Sequence, residues 1–506
     1  MQQLSELDSS FLYLETETSP LHVGGVFVFK KKSAKSAFNF NRFRSLIVSK
    51  LGNERFFRSR IVETPLNLDL PIWADDPDFD LARHLDYVTL KTKPTPCSLN
   101  ELAATIFSAP LDRAHPLWHA TYVDGLENDP KFSKNHFALV LKIHLTAIDG
   151  TTGEDILSQL LHVSPEISDI ETTEPWIPLP LPDTGSILDA AYSNALNIPS
   201  KLALLAKDTA ASVFYGMLQE RLQGLNLPAA LMKVVSTPIN QSISSKRTID
   251  NICIPVAQIR EIRQSLEDVT TNDVIMGICA EALANYLSED AAKIQTPMIA
   301  LAPISVRSTS LDVKSGNQLA ASLFSLATTE TDPIKRIRLI HQTAQSSNHY
   351  ADAISAARLT ELIPSCMTAL SARVYSEFLL AQKHMPMFNL PITNIPGPQF
   401  PLYLEDNELT NYICAGPLFD GIGLGIMIVS YNGMYSITTT YCPELIKNKE
   451  PFGVYLNEAL ERILDTKEQM NIAPGPTSQE KESAGKGIIE DVVGLVNNLF
   501  SFTEKK

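Results

Sequence analysis

The sequence predicts an α/β protein with mixed α+β sheets, built as two large units. Three observations carry this prediction. Strand-period and helix-period segments alternate along the chain, a proline-rich stretch divides it, and 506 residues exceed one small module at roughly 100–200 residues per domain. Hydrophobic residues make up 44% and charged residues 20%, enough apolar mass for sizeable cores.

In chain order, residues 21–30 (LHVGGVFVFK) set valine and phenylalanine at alternate positions, the period of a half-buried strand. Residues 39–51 carry apolar side chains at helical spacing and end at Gly52, a helix stop. Strand patterns recur at residues 117–123 and 137–145 around a polar turn at 127–135. A helix-like stretch follows Gly150 to about His162. Pro165, Pro175, Pro178, Pro180 and Pro182 then remove backbone donors and predict a linker crossing the surface. Residues 186–233 are helical in composition, interrupted near Pro199 and Pro228.

A second unit begins near Arg247. Its pattern predicts helices over 256–266 and 272–288, a strand over 298–303, helices between 333 and 379, and strands over 424–430 and 434–441. The expected divisions are an N-terminal domain (1–163), a crossover and helical linker (164–246), a C-terminal domain (247–466) and a tail (467–506). Residues 473–486 are too polar to fold alone. Beyond them Ile488, Val492, Val493, Val496, Leu499 and Phe500 repeat at helical spacing, predicting an amphipathic helix on a tether. Packing on the body is favoured over docking on lipid, because Glu490 and Asp491 on its polar face suit anionic lipid poorly.

The balance of 42 Lys+Arg against 57 Asp+Glu gives −15, which argues against a phosphate-tracking surface, so no nucleic-acid partner is expected. Cys97, Cys253, Cys279, Cys366, Cys414 and Cys442 form no C-x-x-C pair, indicating neither a zinc site nor a disulfide scaffold and pointing to a reducing compartment. The start of the chain carries Glu6 and Asp8 rather than a basic segment and an apolar run, so no signal peptide is expected. Apolar runs fall short of the roughly 20 residues that span a bilayer, which leaves membrane contact peripheral.

Phosphate loops, nucleophile elbows and H-E-x-x-H pairs are absent from the sequence. What stands out is KIHLTAIDG, residues 142–150, where an apolar strand ends in Asp149 and Gly150. His144 at such an end can act as a general base, although a lone strand histidine is more often a core hydrogen-bonding group.

Around this motif the chain resembles the bacterial wax ester synthase/diacylglycerol acyltransferase family over residues 4–465. The resemblance rests on LSELDSSFLYLETETSPLHVGG from Leu4, FDLARHL from Phe79, PLDRAHPLWHATYVDGLE from Pro110 and NDVIMGICAEALANYL from Asn272. PISVRS from Pro303, GNQLAASLFSL from Gly316, TNIPGPQFPLYL from Thr393 and GPLFDGIGLGIMIVSYNG from Gly416 continue it in the same order. It implies a CoA-dependent acyltransferase fold similar to chloramphenicol acetyltransferase, two domains with a tunnel between them. It further implies acyl-CoA as co-substrate, no metal or other cofactor, and acyl transfer to a fatty alcohol or diacylglycerol. Wax ester or triacylglycerol would then form in the cytoplasm, at the inner membrane or on lipid inclusions.

The family motif is HHxxxDG, whose second histidine deprotonates the acceptor hydroxyl. Here His144 holds the first position and Leu145 the second, with Asp149 and Gly150 retained. Neighbouring strand residues point to opposite faces, so His144 is not a simple replacement. Loss of a positioned base costs about 10²- to 10⁴-fold in rate. Three readings follow. A bulge or neighbour restores a base, either His144 itself or His119; the tunnel binds acyl chains or acyl-CoA without turnover; or the chain partners an active paralogue at a lipid surface.

By the same resemblance, Asp149 pairs with Arg307 at the strand end, while Asn272 and Asp273 either serve the site or cap their helix. Pro116, Leu117 and Trp118 border the acyl tunnel with Leu145. Asp420, Gly421 and Gly423 form the loop that closes it.

Overall fold

The structure is a computed structural model. It describes residues 2–32, 38–52, 54–65, 69–91, 98–148, 157–167, 170, 176–181, 183–196, 234–266, 268–287, 296–305, 319–355, 388–446 and 450–469. The first half holds β1 (Gln2–Gln3), α1 (Glu6–Leu14), β2 (His22–Lys30), α2 (Phe40–Leu51), α3 (Arg55–Arg58), β3 (Ser59–Val62) and β4 (Ile72–Asp75). It continues with β5 (Leu85–Thr89), α4 (Leu99–Ser108), β6 (Trp118–Asp124), β7 (His136–His144) and α5 (Thr184–Leu196). The second half holds β8 (Thr248–Pro255), α6 (Val256–Gln264), α7 (Thr271–Tyr286), β9 (Ile299–Ser305), β10 (Leu319–Ser325) and α8 (Pro333–Ser355). After these come β11 (Leu390–Ile395), β12 (Tyr403–Leu404), β13 (Asn407–Ala415), β14 (Leu424–Tyr431), β15 (Met434–Tyr441) and α9 (Phe452–Gln469).

Two six-stranded mixed sheets organise these elements, in the orders β12-β13-β2-β7-β6-β5 and β10-β9-β11-β14-β15-β8; β1, β4 and β3 form a small third sheet. The alternation in LHVGGVFVFK divides β2 between two cores. Phe27 and Phe29 pack with Phe137 and Leu139 of β7 against Phe43, Leu46 and Ile47 of α2. On the other face Val26 and Val28 join Ala138 and Val140, Ala103 and Phe107 of α4, and Ile249 of β8. Thus α4 bridges the first sheet and the edge of the second. The helices begin where side chains satisfy their free amides: Asn39 accepts from Arg42 N, and capping boxes Ser98/Glu101 and Thr270/Asp273 start α4 and α7.

β12 and β13 lie within 247–466 by sequence, yet β13 pairs antiparallel with β2 and completes the first sheet. The two units therefore exchange a strand. The second core centres on α7, buried almost all round, between the second sheet and α8 and α9. The expected linker helix is described as α5; its continuation to residue 233, the helices beyond Ser355 and the tail from residue 470 lie outside the described residues. No described helix is long and apolar enough to cross a membrane.

Candidate active site

β7 delivers the motif between β2 and β6. His144 N donates to Leu117 O at 3.0 Å and Leu145 N to Leu21 O at 2.9 Å. The chain then enters a 3₁₀ turn, Leu145–Ala147, whose Thr146 N donates to His144 Nδ1 at 3.1 Å. Thr146 Oγ1 donates onward to Asp8 O at 2.9 Å. With Nδ1 accepting, the ring proton sits on Nε2, which lies 3.4 Å from Glu15 Oε1. That contact is long and falls outside hydrogen-bond geometry, so its attraction is chiefly electrostatic.

Glu15 is held charged. Burial alone would raise its pKa, but His144 and the Arg113 guanidinium outweigh burial and bring the carboxyl down to about 2. Arg113 reaches Oε2 through Nε at 2.8 Å and Nη2 at 2.6 Å. His144 is 1% exposed. Its basic lone pair is occupied by a backbone amide and its other nitrogen faces a carboxylate, so this arrangement orients the turn and offers no lone pair to an acceptor hydroxyl. Leu145, half-buried at the first position of the turn, has no proton-accepting atom.

His119 is also engaged. It stands opposite Lys142 in the β6–β7 ladder, with Nε2 3.2 Å from Asp86 Oδ2, and burial lowers its pKa. Lys142 and His22 cap the carbonyl end of α4 and its exit: Lys142 Nζ donates to Ile106 O and Ala109 O at 2.9 and 2.7 Å, and His22 Nε2 lies 2.8 Å from Phe107 O. Burial pulls the Lys142 ammonium down to about 8 and His22 down to about 3.

The remaining candidates fall into three groups. Leu117 and Trp118 are core, the indole donating to Phe57 O at 2.9 Å and stacking on His84 and Phe57; Pro116 closes the preceding turn through Trp118 N. Asn272 Oδ1 accepts from Asn394 Nδ2 at 2.9 Å, tying α7 to β11. Asp273 Oδ2 accepts from Thr270 N and Oγ1, both at 2.7 Å, and lies 2.7 Å from His341 Nδ1. Asp420 Oδ1 accepts from Ile243 N at 3.1 Å, and Gly421 O from Asn240 Nδ2 at 3.1 Å. Gly421 has φ +83°, and Gly423 N donates to Ile239 O at 2.7 Å. This loop is braced on residues 236–243. Asp149, Gly150 and Arg307 lie outside the described residues.

Sequence reading missed Glu15, Arg113 and His341. Glu15 and Arg113 sit inside two of the matching segments, but their pairing spans 98 residues and leaves no local period. His341 lies on an ordinary helical stretch, and only its contact with Asp273 distinguishes it.

Residues 4–275 match the family model for the wax ester synthase/diacylglycerol acyltransferase catalytic domain, and residues 315–464 match that for the WS/DGAT C-terminal domain. The chain belongs to the wax ester synthase/diacylglycerol acyltransferase family. It is 28% identical to the O-acyltransferase WSD of Acinetobacter baylyi, covering 91% of this chain and 96% of that one. A Mycobacterium tuberculosis relative, named as a diacylglycerol O-acyltransferase, is also 28% identical, over 92% of this chain and 90% of its own. Among solved structures, the Marinobacter aquaeolei wax ester synthase/diacylglycerol acyltransferase superposes with a TM-score of 0.62 at 22% identity, covering 92% of this chain and 100% of that one. The starter condensation domain of rhizomide synthetase, solved with C8-CoA, gives 0.53 at 11% identity over 92% and 94%. These likenesses establish the two-domain CoA-dependent acyltransferase fold.

Proposed function

We propose that this chain is an acyl-CoA-dependent O-acyltransferase that transfers a fatty acyl group to a fatty alcohol or diacylglycerol without an imidazole base at residue 145. The observation that carries this reading is the pair of family models matching both halves in order. Both retained networks around the motif favour a maintained site: His144 fixes the turn through Thr146, and Glu15 with Arg113 fixes His144. Asp149, Gly150 and Arg307 belong to the same proposal, as do the tunnel residues Pro116, Leu117, Trp118 and Leu145 and the loop at Asp420, Gly421 and Gly423. Asn272 and Asp273 act by holding the start of α7 against β11 and His341.

Transfer proceeds by positioning the hydroxyl against the thioester, with the proton lost to water or to the leaving thiolate. Leu145 favours a second reading, acyl-CoA binding without turnover. Labelled palmitoyl-CoA offered with hexadecanol or diacylglycerol separates the two. Ester from the native protein above the no-protein control supports transfer, and Leu145→His then raises turnover by about 10²-fold or more. Ester only from Leu145→His, with palmitoyl-CoA bound by both forms, supports the binding reading. Absence of palmitoyl-CoA binding in both forms overturns both.

A further inference from the structure

Among the described residues of the chain between the two halves, several apolar side chains point outward. Trp176 anchors this strap, its ring edge-on to Phe79 at 6.2 Å and its centroid 5.0 Å from the Arg58 guanidinium. From Ile177 to Leu181 every residue is apolar, and Ile177 and Leu179 are 82% and 73% exposed. In α5, next along the chain, Ile187 and Ala191 face inward, while Leu188 and Tyr192, one turn apart, are exposed, Tyr192 by 68%. Val163 and Ile167 are exposed just upstream. Single exposed apolar side chains are ordinary; a run of them in one short region marks an interaction surface.

Two further features say what covers it. Pro178 and Pro180 have no N–H, and Leu179 N already donates to Asp75 Oδ2 at 2.9 Å, so this backbone strands few donors on entering an apolar phase. The charge is equally specific. Among the described residues 157–167, 170, 176–181 and 183–196, Glu166, Asp183 and Asp189 are acidic and none is Lys or Arg, a local charge that repels anionic headgroups. We infer that the strap at residues 177–181 and the exposed side of α5 dock this protein on an uncharged lipid surface, and that anionic bilayers are disfavoured. The inference rests on the acyl-transfer reading, whose acceptors and products are insoluble in water. It also assigns lipid contact to the strap, where sequence patterning offered only the tail.

Flotation of the full-length protein tests it, using triolein emulsion coated with phosphatidylcholine and, in parallel, vesicles in which phosphatidylglycerol replaces part of the phosphatidylcholine. The native protein floats with the emulsion. Ile177→Ser, Leu179→Ser and Leu181→Ser combined lower the bound fraction about tenfold, because three aliphatic side chains no longer enter the lipid. Leu188→Ser with Tyr192→Ser lowers it several-fold. Phosphatidylglycerol weakens binding at low salt, and added salt relieves this. Palmitoyl-CoA binding in the absence of lipid stays at the native level in both variants, which shows them folded and separates docking from catalysis. A native protein that floats but makes no ester leaves docking standing and removes transfer. Native flotation by the serine variants, binding only to anionic vesicles, or no flotation of the native protein overturns the inference.

Discussion

At His144 the ring nitrogen that would accept a proton instead accepts Thr146 N–H, and the charge that orients the ring comes from Glu15. Glu15 therefore links the site to stability. Its folded pKa of about 2 lies below the ordinary 4.5, so its contribution is fully present above about pH 4.5 and is lost as pH falls towards about 2. His22 works in the same direction at higher pH: its folded value near 3 against 6.5 means the unfolded chain binds the proton first, and stability falls from about pH 6.5 to about pH 3. Urea unfolding from pH 7 to pH 3 follows both. Glu15→Gln should cost about 1–3 kcal/mol at pH 7 and flatten the acid side of the profile. An unchanged midpoint at pH 7 would remove Glu15 as the clamp of the motif turn.

Among elements, β2 and β7 form the pair on which the motif depends, and their approach is set by one residue. A Cβ on Gly24 would stand 1.8 Å from Leu141 O and 2.8 Å from its carbon, both backbone atoms that no rotamer change can move. Gly24→Ala should therefore part the strands, costing several kcal/mol or leaving the protein insoluble. A melting temperature within a degree of native would show that the ladder is looser than this. The double glycine in LHVGGVFVFK is visible in the sequence, but its reason is not, because it depends on the neighbour across the ladder. The same division holds elsewhere. β2, α2, β6, β7, α6, α7, β14 and β15 were legible because each follows a local apolar period. β8 and β13 were not read as strands, and β13's partner lies some 385 residues earlier in the chain. In the site, the positions of His144 and Leu145 at the end of β7 were legible from the motif. The engagement of His144 was not, since it is made by Glu15 and Arg113 from two other segments.

For the whole molecule, the strand exchange makes the two halves one folding problem. β13 covers the edge of β2 from Gly24 to Lys30, and Arg42 of α2 donates through Nε to Glu405, in the turn between β12 and β13, at 2.8 Å. Ser19 Oγ donates to Leu418 O at 2.6 Å, and Arg247 Nη2 to Thr18 O at 2.7 Å, so the connections flanking β13 and β8 are tied to the segment leading into β2. A fragment ending at residue 246 retains most of the first core but loses this cover. It exposes β2 from Gly24 to Lys30 as a free edge bearing Val26, Phe27, Val28 and Phe29. Such an edge is long, apolar and without proline, the kind that pairs with another copy of itself. Expressed alone, residues 1–246 should elute from size exclusion as aggregate, and fusing residues 403–415 through a flexible linker should recover monomer with slow amide exchange along β2. A monomeric, cooperatively melting 1–246 fragment would mean that the first half folds independently and β13 only docks on it afterwards. In that case the strand exchange would be a hinge between two autonomous domains.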